Sequence, residues 1–115
     1  NKHKLAMSNA VKTLNLKLFA DENYLSPSIT AIKTEGMDAE EFRKTIKNNF
    51  DILLAGGQDH MKGKIFRVGH LGYVNDRDII TVVSAIGSTL LNLGKVTAQQ
   101  AGEALVVASR YLEEK

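Results

Sequence analysis

The stretch Gly63-Lys64-Ile65-Phe66-Arg67-Val68-Gly69-His70-Leu71-Gly72 reads as a β-strand over residues 64–71, bounded by glycines. Successive side chains of a strand point to opposite faces. Phe66 and Val68 therefore share one face, and Ile65, Arg67 and Gly69 share the other. The first face asks for a hydrophobic core. The second carries an arginine in mid-strand among apolar neighbours. Five of the nine glycines lie between positions 56 and 72: Gly56, Gly57, Gly63, Gly69 and Gly72. Such density marks backbone with unusual dihedrals or with close neighbours. It fits a hairpin with tight turns, and equally a loop and strand lining a ligand site. It is not a phosphate-binding P-loop, because no Gly-Lys-Ser/Thr follows at the required spacing.

Helix and strand signals alternate on either side of this stretch. Upstream, residues 2–15 read as a helix, with Met7, Ala10, Val11 and Leu14 on one face. Residues 16–20 read as a short strand. Residues 28–33 read as another, with Ile29 and Ala31 on one face and Ile32 on the other. A sheet with one wet face alternates cleanly, so the mixture predicts cover on both faces. Asp38 is placed to cap a helix, with Glu41 at its third position and a Met37–Phe42 hydrophobic staple. Ala39, Phe42, Ile46 and Phe50 form its apolar stripe, while Glu40 and the lysines fall on a solvated face. Residues 52–55 read as a short buried strand ended by Gly56-Gly57.

Downstream, Asn75 or Asp76 caps a helix whose stripe is Ile79, Val83, Ile86, Leu90 and Leu93, with Gly94 as its stop. Thr97 and Gln100 form a capping box for a last helix carrying Ala101, Ala104, Leu105, Ala108 and Leu112. The order α-β-β-α-β-β-α-α predicts an α+β fold. It has a three- to four-stranded, mainly antiparallel sheet with helices packed on one face.

The chain has 115 residues, the size of a single domain (1–115). It contains no cysteine, which excludes a disulfide scaffold, a thiolate zinc site, an iron–sulfur cluster and a cysteine nucleophile. No apolar run approaches the roughly 18 residues of a membrane span. A net charge of +2 and 6% aromatic residues do not describe a nucleic-acid surface. The chain opens at Asn1 without methionine or an apolar signal core and reads as a cut within a longer protein, of cytoplasmic location.

Arg67 is the residue the pattern singles out. Arginine is rarely buried without a partner, and its planar fork matches a carboxylate bidentately. It pairs with an internal acid or reaches water, or else it holds an anionic ligand in a cleft beside the sheet, with Gly69 leaving room. His60 and His70 lie ten residues apart on different elements, and no carboxylate pattern completes a metal site. No serine or lysine sits in a recognisable nucleophile context, so no catalytic constellation is expected in this chain.

Three segments in order carry a resemblance: Leu25-Ser26-Pro27-Ser28-Ile29-Thr30-Ala31-Ile32, Ala55-Gly56-Gly57-Gln58, and the string from Gly63 to Gly72. Together they closely resemble the C-terminal small domain of class V aminotransferases, in the alanine–glyoxylate, serine–glyoxylate and serine–pyruvate branch. The resemblance runs from the first helix to about Leu93. It implies a fold-type I pyridoxal-phosphate enzyme, usually a homodimer. The large domain of the same polypeptide would supply the cofactor lysine, the carboxylate at the pyridine nitrogen, the stacking group and most phosphate contacts. No cofactor-binding, catalytic or metal-ligating residue is then expected here, and this fragment alone is not expected to bind the cofactor or to be active.

The resemblance implies one site residue, Arg67, gripping the α-carboxylate of the amino-acid or 2-oxo-acid substrate. Partners are then the large domain and a second subunit, with no nucleic acid and no membrane. Residues 97–115 fall outside the matched part and are expected to form an additional C-terminal helix. Some members of the branch carry the label soluble hydrogenase small subunit. The absence of cysteine offers no thiolate for a hydrogenase metal centre. A second reading from the residues is a free-standing ferredoxin-like module that binds an anion or regulates through its glycine-rich hairpin.

Overall fold

A computed structural model describes residues 2–19, 29–69 and 75–113. Helix α1 (Lys2–Thr13) buries Ala6, Met7, Ala10 and Val11. It stops where Asn15 adopts a left-handed conformation (φ 63°). The Leu16 and Asn15 amides then return to the carbonyls of Val11 and Lys12, the Schellman pattern. Strand β1 (Lys17–Leu18) follows, then β2 (Ile29–Lys33), helix α2 (Ala39–Phe50), β3 (Ala55–Gly56) and β4 (Ile65–Gly69), with a single 3-10 turn at Asp59–Met61 before β4. Helices α3 (Asp76–Asn92) and α4 (Ala98–Glu113) close the described chain.

The caps were legible from residue type. The Asp38 carboxylate accepts from the Glu40 amide at 2.9 Å. Asn75, not Asp76, caps α3 in a reciprocal box with Asp78, and the Thr97 and Gln100 side chains and amides exchange bonds at the head of α4. Gly94 (φ 71°) ends α3, with the Gly94 and Lys95 amides on the Leu91 and Leu90 carbonyls.

Among the described residues the sheet is four-stranded and antiparallel throughout, in the order β1-β2-β4-β3. Ile32 pairs with Phe66, Thr30 with Val68, and Ala31 with Arg67. Phe66 and Ile32 are fully buried in one core with Val11, Ile46, Ile79 and Val83, so α1, α2 and α3 cover the same sheet face. Phe42 of α2 lies on Phe66, ring centroids 5.3 Å apart. Helix α4 packs on α1 and α3, burying Ala104, Ala108 and Leu112. The second sheet face has its own small cluster: Ala31 and Ile65, with Phe19 and Met61 against them. The second face of β2 is thus covered at Ala31, while Ile29 and Lys33 at its ends stay partly exposed.

Three expectations need correction. The strand expected over 52–55 pairs only at Ala55–Gly56. Leu54 turns into the core while Leu53 is 81% exposed, because side chains on adjacent extended residues diverge. Leu93 does not extend the α3 stripe: the Schellman turn ends the helix at Asn92 and leaves Leu93 exposed. Phe50, the last residue of α2, is likewise partly exposed. The predicted positions Ser28, His70, Leu71 and Gly72, and the Leu25-Ser26-Pro27 string, lie outside the described residues.

Candidate functional site

Strand β4 is central, between β2 and β3, and Arg67 is its middle residue. Its two cross-strand partners are both alanine, Ala31 on β2 and Ala55 on β3. Directly opposed residues share a sheet face, so Arg67 stands between two methyl groups, on the face away from the Phe66 core. Gly69, two residues along on that face, has nothing within 4 Å of where a Cβ would project. The Arg67 Nε donates to the Gly56 carbonyl at 2.8 Å. That bond holds the guanidinium of a half-buried side chain against β3. Leu53, Ala55, Arg67 and Gly69 border a cleft of about 270 Å³ at the end of the sheet, which Leu54, Val68 and the α3 residues Ile79 and Val82 line from the helix-covered side. Asp78 also borders it, with its Oδ2 bonded to the Asn75 amide.

Sequence reasoning missed the layer behind β3. Glu40 was expected on a solvated face. Its Oε1 instead takes a 2.7 Å bond from Arg43 Nη1, and its Oε2 is buried without a hydrogen-bond partner. Arg43 Nε donates to the Leu54 carbonyl at 2.9 Å. A methyl group at Gly56 would lie 2.7 Å from both Arg43 Nη1 and Glu40 Oε2. The glycine therefore lets the ion pair lie on the strand backbone. The glycine density did signal a close neighbour; the i,i+3 spacing of Glu40 and Arg43 was the only hint of which one.

The remaining candidates do not converge on this site. His60 is exposed in the 3-10 turn. The His3 ring meets Asp76 at 2.9 Å, bridging the starts of α1 and α3. Among the described residues no group of three or more His, Cys, Asp and Glu is placed to hold a metal ion. No helix among them is long and apolar enough to cross a membrane.

No family model matches the chain. Curated relatives do. The chain is 52% identical over 103 residues to a protein named soluble hydrogenase, small subunit, from a Synechococcus strain, with 90% of this chain and 27% of that protein aligned. It is 32% identical to a serine–glyoxylate aminotransferase of Methylorubrum extorquens, over 95% of this chain and 27% of the relative. Among solved structures, a ureidoglycine–glyoxylate aminotransferase of Bacillus subtilis superposes with a TM-score of 0.82 at 26% identity, covering 95% of this chain and 29% of that one. An open antiparallel sheet with helices on one face, matched at this length, defines the small domain of an aminotransferase. The chain is homologous to the class V aminotransferases. It spans about a quarter of the length of the curated relatives it matches.

Aminotransferase kinship implies pyridoxal phosphate in the whole enzymes. The two lysines on Arg67's side of β1 and β2 are Lys17 and Lys33. Lys17 is exposed and 3.5 Å from Glu35, and Lys33 Nζ lies 5.8 Å from the Phe19 ring centroid. Lys33 lines a recess that it shares with Phe19, Met61 and the Glu35 carboxylate.

Proposed function

We propose that this chain is the small domain of a pyridoxal-phosphate-dependent, homodimeric aminotransferase that moves an amino group from a donor such as alanine or serine to glyoxylate or pyruvate. Arg67 binds the substrate α-carboxylate. The observation that carries this is the setting of Arg67: mid-sheet, on the face away from the helices, between Ala31 and Ala55, with open space beside Gly69. A guanidinium presents parallel N–H donors that match both carboxylate oxygens. Its Nε is already held by the Gly56 carbonyl, so little orientational freedom remains to be lost on binding. Gripping the carboxylate fixes how the substrate's Cα presents its proton, an orientation effect. The cofactor and the proton-transferring groups belong to the large domain, so the segment alone is inactive. The hydrogenase name of the Synechococcus relative lends no thiolate chemistry to a chain without cysteine.

The test is Arg67→Lys in the intact enzyme. Lysine keeps the charge and loses the fork. Truncating a buried charge pair costs about 2–5 kcal/mol, or roughly 30- to 5,000-fold in kcat/KM, and lysine is expected to forfeit a large part of that by losing the bidentate geometry. The cofactor absorbance should be unchanged. Unaltered kinetics would refute the assignment.

A further inference from the structure

We propose that Arg43 is a positioning residue for Arg67 and acts through strand β3. The inference rests on the reading of Arg67 as the carboxylate-binding group. Strand β3 pairs with β4 through only two residues, Ala55 and Gly56, and forms the edge of the sheet. Two residues of ladder are a weak hold on an edge strand. Yet the Gly56 carbonyl is what anchors Arg67 Nε.

Helix α2 supplies the second hold. Arg43 Nε bonds the Leu54 carbonyl, and its Nη1 bonds Glu40. The guanidinium then lies against the backbone of Gly56 on the side opposite Arg67. Helix α2 is itself fixed to the approach to β4 by the Ala39 amide on the Gly63 carbonyl at 2.9 Å. The path from Glu40 through Arg43, Leu54 and Gly56 to Arg67 is continuous contact. Two arginines sandwich one short strand, one from each face. Release of the rear arginine lets β3 shift, and with it the carbonyl that sets the angle of the front one. Geometric errors of about 1 Å in a binding group are costly to turnover.

The experiment is a double-mutant cycle in the intact enzyme with saturating cofactor. Arg43→Leu keeps the apolar stem and removes every donor. It is expected to lower kcat/KM for the amino-acid donor by about tenfold, through KM more than kcat, and by less than about twofold in the Arg67→Lys background, since coupled sites are not additive. Gly56→Ala pushes the ion pair off the strand from the other side and should reproduce the same coupling. It carries the test if Arg43→Leu does not fold. A merely structural role would shift the melting temperature and lower activity equally in both backgrounds. That equal loss, or no loss from either variant, overturns the inference and leaves Arg67 in its role. Unchanged kinetics of Arg67→Lys by itself overturns the underlying reading instead.

Discussion

Replacing Gly57 by alanine tests whether the glycine pair is a structural requirement or a residue of convenience. A Cβ at position 57 would fall 2.3 Å from the Met61 carbonyl oxygen, 2.7 Å from its carbon and 2.8 Å from Ile65 Cγ1. A carbon–oxygen contact normally stays near 3.3 Å or more, so this carbonyl must retreat by about 1 Å. The same carbonyl accepts from the Lys64 amide at 3.0 Å, the bond that leads the chain into β4. Overpacking costs about 1–3 kcal/mol, and a weakened hydrogen bond adds about 1 kcal/mol. The gain from a stiffer unfolded chain offsets about 0.4–1 kcal/mol. The net is a loss of about 1–3 kcal/mol, or a melting temperature roughly 5–15 °C lower for a domain of this size. Gly69→Ala is the control. It meets nothing within 4 Å and has no left-handed backbone to strain, so it should melt at or a few degrees above the parent. Thermal unfolding of the 115-residue chain followed by circular dichroism reads both. If Gly57→Ala melts within about 2 °C of the parent, or Gly69→Ala falls as far, the reasoning from contact distance fails.

Three further perturbations probe the frame around the site. Phe66→Ala empties a fully buried ring site against Phe42 and should cost about 3–5 kcal/mol in urea unfolding; a loss below about 1 kcal/mol would mean the core refills. Asn75→Ala removes the α3 cap and its reciprocal bond with Asp78, for about 1 kcal/mol, whereas Asn75→Gly should lose only a few tenths. The Asp76 carboxyl titrates below its ordinary value of 3.8, chiefly because the His3 ring hydrogen-bonds it, with Lys2 assisting against partial desolvation. A carboxylate with a lowered folded pKa adds stability above the unfolded value and loses it as acid titrates the folded group. Asp76→Asn should therefore flatten the decline in melting temperature below about pH 4; an unchanged acid slope would show that this contact is silent.

Much of this fold was legible in one dimension because its signals are local. Capping residues, the left-handed stop at Gly94 and the apolar stripes of α2 and α3 depend on neighbours within one or two helical turns. The parity of β4 separated Arg67 from Phe66 and Val68 for the same reason: alternation along a strand is a backbone property. The mixed parity of β2 asked for cover on its second face, part of which Phe19 and Met61 provide.

What residue patterns could not reach was pairing across long separations. That Arg67 lies between two alanines is a matter of register with β2 and β3, which are distant in sequence. That Glu40 and Arg43 turn inward onto Gly56 depends on how α2 packs against β3; a charged helix face looks solvated until a glycine strand arrives beneath it. Leu53 and Leu54 make the point in two adjacent residues of equal hydrophobicity, one in water and one in the core. Composition treats them alike, and only the path of the folded backbone separates them.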